Sequence, residues 1–412
     1  MSDGGPSAGT SEQRTTSRRR LLQVTAGGTV AGLAGCLGGG DGGSADTFTI
    51  GANLELSQGW SPWGETILNA AELAAQEIND NGGLGPNGAE VDVIADDNQV
   101  DPSTARDVAL QHAQEDGADL LFGPISSAQR VAISDVAASE EIPLIYPVQY
   151  EGHVAEDYCN EWLFKTESVP VQNIEPFIPW LVDNFGTDFY MIGSDYNWPH
   201  QINSVSKPIL EEAGGTVVDE EYVQLGTSDF SSIVLRIQEA DPDVLYMTLT
   251  GGEPAAIQQE MLDRGLRDEW QDVGFAHGQA AIGGIDAAAV EGVISCHNYA
   301  ELMENDANQA FVERYYDEFG DDAVVNYMTG PAYVSILLLE QALADAEDTA
   351  PETIKERLPG TGIEDSVVGF TEFERDHQLT LDAVAKRMNS DKKFEVVKQF
   401  DPVTPDEHCE AI

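Results

Sequence analysis

The residues best suited to chemistry fall in five short segments: 56–64, 123–127, 146–152, 193–199 and 248–253. They bring together Trp63, Ser126, Ser127, Tyr146, Gln149, Tyr150, Tyr196, Trp198, Gly251 and Glu253. Hydroxyls, an amide, indole rings and carboxylates in short loops are tools for holding a small polar molecule by hydrogen bonds and aromatic walls. Covalent catalysis needs a nucleophile beside a base, and no Ser-Lys or Cys-centred constellation accompanies these segments. The seven histidines (112, 153, 200, 277, 297, 377 and 408) show no metal-ligand spacing, and there is no CxxC pair. The expectation is capture without catalysis, metal or cofactor.

Each segment follows an apolar run that reads as a strand. The chain alternates strands at 48–53, 91–94, 120–122 and 144–146 with helices at 65–79, 103–115 and 127–140. The alternation restarts with a helix at 174–184, a strand at 189–192 and a helix at 205–212. Strands at 217–223 and 244–249 then flank a helix at 230–240, and another helix follows at 254–264. A strand at 293–296 precedes helices at 309–319 and 332–346, and the tail from 367 to 400 reads as short strands with turns. Repeated βα units imply parallel sheets covered on both faces, and in such sheets ligands bind beyond the carboxyl ends of strands. All five segments lie at such ends, which points to one cleft.

Composition narrows the partner. The 412 residues suit two domains, and 42% hydrophobic content excludes general disorder. Twenty Lys plus Arg against 73 Asp plus Glu give a net charge of −53, which argues against nucleic acid or an anionic membrane surface as ligand. Acids spread along every segment fit a surface adapted to concentrated salt, where screening shortens self-repulsion.

Residues 1–46 read as an address. Arg18, Arg19 and Arg20 followed by Leu21 and Leu22 resemble a twin-arginine export signal, and Leu33-Ala34-Gly35-Cys36 resembles a lipobox with Cys36 as the lipidated residue. The apolar run 21–34 is too short and Gly-rich to span a membrane, and 37–46 is a flexible tether. Export and a lipid anchor on the outer face of the cell membrane are expected. Outside the cell two of Cys159, Cys296 and Cys409 can be oxidised, and Cys159 with Cys409 would tie down the C-terminus.

At these residues the chain resembles the type I periplasmic binding proteins of ABC transporters, the branched-chain amino acid and amide receptors. Trp63-Gly64 and the run 77–84 are similar to the first βα unit of that family. The stretches Tyr146-Pro147-Val148-Gln149-Tyr150-Glu151-Gly152 and Gly193-Ser194-Asp195-Tyr196, with 225–232, are similar to its urea and short-chain amide branch. The resemblance implies two doubly wound, Rossmann-like α/β lobes joined by hinge crossovers. Lobe one takes 47–168 and 298–362, and lobe two takes 169–297 and 363–412. It implies ligand contact at Ser126, carbonyl acceptors around Tyr146 and Val148, and walls from Tyr150, Tyr196 and Trp198. Trp63, Ser127, Gln149, Gly251 and Glu253 complete the expected site.

The family's amino acid receptors carry a glutamate that aligns near Ala276, yet no acid occurs between residues 273 and 285. An unpaired buried ammonium would be costly, so a small neutral nitrogenous solute, urea or a short amide, is the expected ligand. Departures at Ile125-Ser126-Ser127-Ala128 and Gly251-Gly252-Glu253-Pro254 keep a branched-chain amino acid open, with Glu253 as the substitute acid. An amide sensor is a further alternative. An ABC permease and its ATPase are the implied protein partners.

The charge balance carries its own test. Raising salt from about 0.1 M to about 1 M shortens the Debye length from roughly 10 Å to 3 Å, so the thermal midpoint is expected to rise steeply by circular dichroism. A flat midpoint would remove the salt-adapted reading.

Overall fold

The computed structural model describes residues 47–149 and 159–405. Five strands form the first sheet: β1 (Thr47–Leu54), β2 (Glu90–Asp97), β3 (Leu120–Phe122), β4 (Leu144–Tyr146) and β5 (Leu163–Lys165). They lie in the order β2-β1-β3-β4-β5, all parallel. Their burial is nearly complete in β1, β3, β4 and β5, as parallel strands covered on both faces require. The helices α1 (Ser61–Asp80), α2 (Pro102–Gln114) and α3 (Ser127–Glu140) connect them. In α1, Trp63, Ile67, Ala70, Ala71, Ala74 and Ile78 recur at three- and four-residue spacing and form the buried stripe.

The second sheet repeats the plan. Strands β6 (Asp188–Ser194), β7 (Thr216–Val223), β8 (Val244–Thr248), β9 (Gln271–Gly274) and β10 (Ile294–His297) run parallel in the order β7-β6-β8-β9-β10. Relabelled from its own first strand, this is the order of the first sheet. The two faces are legible in the alternation of packing partners along these strands, which are buried on both sides. Phe189, Met191 and Tyr246 pack with α4 (Pro170–Phe185) and α5 (Asn197–Glu212). Tyr190, Ile192, Leu245 and Met247 pack with α6 (Ser231–Ala240) and α7 (Glu253–Arg264). A four-residue helix α8 (Gln279–Ile282) follows β9.

The chain crosses between the sheets three times. It leaves β5 for α4, and returns after β10 to form α9 (Asp306–Phe319) and α10 (Thr329–Leu343), which pack on α1. It leaves again after α11 (Pro351–Arg357) for β11 (Gly362–Ser366), β12 (Gly369–Phe373), β13 (Leu379–Met388) and β14 (Phe394–Val403). These four extend the second sheet, with β13 antiparallel to β10, β12 and β14. The protein is thus an α/β molecule of two lobes built on parallel sheets.

Several elements differ from the sequence reading. Helices α1 and α5 begin earlier than predicted, so Trp63 and Trp198 ride in first helical turns rather than in loops. Proline opens or interrupts these turns, which hid them: Pro62 in α1, and Pro199 and Pro208 in α5. The short strands β5 and β9 and the helix α11 were not anticipated, being too brief to show a period. Cys159 is disulfide-bonded, while Cys296 is a buried free thiol. Cys36, Tyr150 and Cys409 lie outside the described residues. Among the described residues no helix is long and apolar enough to cross a membrane.

Gly64 sets how closely α1 approaches the end of β1. A Cβ there would lie 2.2 Å from the backbone oxygen of Glu55, a contact that only moving the helix relieves. Gly64→Ala is expected to destabilise the fold by about 1–3 kcal/mol, and denaturant unfolding checks it; unchanged stability would show that the helix is free to shift.

Candidate functional site

The carboxyl ends of both sheets meet at one small cavity of about 30 Å³, room for two or three waters on a scale of about 10–15 Å³ each. From the first lobe it is lined by Trp60 and Trp63 after β1, Ile125 and Ser127 after β3, and Tyr146, Val148 and Gln149 at the end of β4. From the second lobe come Tyr196 and Trp198 after β6, Thr250 after β8 and Ala276 after β9. Tyr327 and Met328, ahead of α10, complete the lining. Each segment but the last leaves a strand at the same end of its sheet, which is why residues 60 to 276 converge, and the segment between α9 and α10 adds Tyr327 and Met328.

Three lining groups stand out. Trp63 Nε1, Ser127 Oγ and Gln149 Nε2 are buried and have no hydrogen-bond partner among the described residues. All three can donate, and all belong to the first lobe. A buried donor left unmet costs about 1–3 kcal/mol, so the cavity is built for oxygen acceptors.

The predicted role of Ser126 is corrected by its surroundings. Ser126 is the N-cap of α3, but its backbone N–H and that of Ile125 donate to Glu55, at 3.0 and 2.8 Å. Its hydroxyl turns to Gln129. Those amides therefore serve an internal carboxylate, and Ser127 faces the cavity instead. Sequence reading missed Glu55 because it sits in an apolar strand end without any partner signal nearby. Burial pushes its carboxyl up to about 7 against the pull of the two amides.

Glu253 is likewise engaged. It is buried, takes the N–H of Gly226 at 2.7 Å and the Ser194 hydroxyl at 3.2 Å, and does not line the cavity. Its expected use as a ligand acid does not fit that geometry. Gly251 lies near Trp60, where a Cβ would sit 3.8 Å from the indole nitrogen, again without lining the cavity. Tyr146 donates its hydroxyl to the Ile125 carbonyl at 2.9 Å, bracing one wall. Trp60, Ile125, Thr250, Ala276, Tyr327 and Met328 were not anticipated. Tyr327 lies more than a hundred residues from the other lining segments of its lobe, whereas Trp60 stood in a segment already singled out.

Behind the cavity the crossovers bury titratable groups. His297 stacks on Tyr327 with ring centroids 4.0 Å apart, and the Lys386 ammonium lies 5.2 Å from the Tyr327 ring and donates to the Tyr299 carbonyl at 2.6 Å. Burial pushes Glu167 up to about 8 and Lys386 down to about 7. Away from the cleft, Asp96, His112 and Asp116 bring ligand-type atoms within 4.8 Å of one another. The His112 Nε2 there pairs with Asp96 at 3.0 Å, and Gln111 donates to Asp116. This grouping, invisible in residue spacing, is the one in which a cation could be held among the described residues.

The Glu55 carboxyl gives a pH dependence with a definite sign. A raised native value means that its stabilisation is full below about 4.5 and is lost as pH rises through about 7, at most about 3 kcal/mol. Glu55→Gln is expected to flatten that decline in denaturant unfolding. A decline equal to the parent's would show that Glu55 is ionised throughout.

With this geometry in hand, comparison with known proteins is informative. The family model described as periplasmic binding protein matches residues 47–393. The Leu/Ile/Val-binding protein homolog 1 of Brucella suis biovar 1 is 24% identical over 331 residues, 79% of this chain and 85% of that protein. A solute binding protein of an ABC transporter from R. palustris, solved with benzoate, superposes with a TM-score of 0.76 at 20% identity, over 88% of this chain and 99% of that one. The branched-chain amino acid transporter substrate binding protein of Streptococcus pneumoniae, solved with isoleucine, gives a TM-score of 0.75 at 20% identity, over 87% and 100%. Matched along most of its length, the chain belongs to the type I periplasmic binding protein family.

Proposed function

We propose that the protein is the solute receptor of an ABC importer and captures an amino acid or similar solute by its carboxylate. The observation that carries this reading is the trio of unmet donors, Trp63 Nε1, Ser127 Oγ and Gln149 Nε2, around one cavity. A carboxylate offers two oxygens with about four acceptor sites, whereas urea or an amide offers one oxygen with two. Three unmet donors on residues lining one cavity suit the carboxylate. The relatives named for Leu/Ile/Val binding and the neighbour solved with isoleucine support the same reading, and it replaces urea or a short amide as the preferred ligand.

In this proposal the lobes are 47–168 with 298–362 and 169–297 with 363–412, hinged at the three crossovers. The first supplies the donors, and Tyr196 and Trp198 from the second complete the pocket on closing. Ligand contact to both lobes shifts an open–closed equilibrium toward the closed form that a permease and its ATPase receive. Cys36 anchors the exported chain by lipid.

The small cavity favours a second reading. At about 30 Å³ it suits urea or acetamide as the lobes stand, while leucine requires them to part further.

Calorimetry in concentrated salt separates the readings with leucine, isoleucine, benzoate, urea and acetamide. Carboxylates are expected to bind, and Ser127→Ala is expected to weaken them by about 1–3 kcal/mol. Binding of urea or acetamide with every carboxylate silent would overturn the proposal.

A further inference from the structure

The cavity has a second chemical end. Trp60 and Trp63 meet edge to face, with centroids 5.1 Å apart and planes at 84°, so the two indoles form a corner. Tyr196 and Trp198 contribute from the other lobe, with centroids 6.5 Å apart and planes 24° from parallel. Four aromatic rings therefore border the same space as the three donors.

The electrostatics of this end are specific. None of the described lining residues is acidic. Two buried carboxylates of the strand-end loops are committed, Glu55 to the amides of Ile125 and Ser126, and Glu253 to Gly226 and Ser194, while burial favours the neutral form of Glu167 behind Tyr327. A primary ammonium carries three N–H donors and needs acceptors for them. A quaternary ammonium carries none, and its charge is matched by the negative faces of aromatic rings. Salt bears on the choice as well. Long-range attraction is screened at high ionic strength, but contacts inside a desolvated box are screened far less.

Resting on the carboxylate reading above, we propose that the solute is a zwitterion pairing a carboxylate with a quaternary ammonium, the class of N-trimethylated amino acids. With the lobes parted further, as leucine also requires, the carboxylate sits on Trp63 Nε1, Ser127 and Gln149, and the methylated nitrogen sits among Trp60, Trp63, Tyr196 and Trp198. Its zero net charge also spares it repulsion from a chain carrying −53.

The test is calorimetry on the mature chain in concentrated salt with trimethylglycine, glycine, leucine and urea as separate titrants. Trimethylglycine is expected to bind at least roughly tenfold more tightly than glycine, the scale of a desolvated cation–π contact. Trp60→Leu and Trp198→Leu are each expected to lower that affinity several-fold, with circular dichroism confirming the fold. Leucine binding with trimethylglycine silent would overturn this inference and leave the carboxylate reading standing. Urea alone binding would remove both. Trimethylglycine binding that ignores both tryptophan substitutions would overturn the aromatic box.

Discussion

A buried hydrogen-bond donor without an acceptor is costly, about 1–3 kcal/mol, and this protein keeps three of them around one cavity. The cost is tolerable because the fold around them is over-determined. Parallel strands bring every connecting loop to the same end of a sheet. Ser127 in the first turn of α3 and Trp63 in the first turn of α1 are therefore fixed by helices that pack elsewhere. Gln149, just past β4, is buried with them. The donors cannot relax toward one another without unpacking those helices. Among the described residues no acceptor meets them, and a molecule entering from the cleft can.

The two lobes handle their own carboxylates alike. In the first, Glu55 closes the turn between β3 and α3 by accepting two backbone amides. In the second, Glu253 draws together Ser194, at the end of β6, and Gly226, after β7. Each acid is buried and satisfied within its lobe, and burial raises the carboxyl value of each. The consequence is a cleft whose described lining offers donors and aromatic faces rather than free negative charge. In a chain with 73 acidic residues, that inversion separates the binding surface chemically from the outer one.

Much of this was legible in the sequence because it rests on periodicity. The apolar stripe of α1 and the alternation of Phe189 through Ile192 announce helix and two-sided strand directly, and five polar segments at strand ends announce the cleft. What was not legible depends on distance in space. Ser126 and Ser127 are adjacent and identical in type, so the sequence could not say which faces inward; the pull of Glu55, seventy-one residues away from Ser126, decides it. Tyr327 belongs to a segment that returns to the first lobe only after the parallel strands of the second sheet are laid down. The preference for a neutral solute, drawn from the missing acid near Ala276, weighed only one end of an amino acid. An acid at that place speaks to the ammonium end, while the donors speak to the carboxylate end.

The hinge adds a last constraint. Glu167 lies in the first crossover, His297 at the end of β10 before the second, and Lys386 on β13 of the second sheet. Tyr327, which lines the cavity, is held between them by the His297 stack and the Lys386 ammonium. Burial disfavours the charged form of both Glu167 and Lys386, pushing the carboxyl up to about 8 and the ammonium down to about 7. The cavity wall and the buried groups of the crossover region are thus continuous through one tyrosine ring.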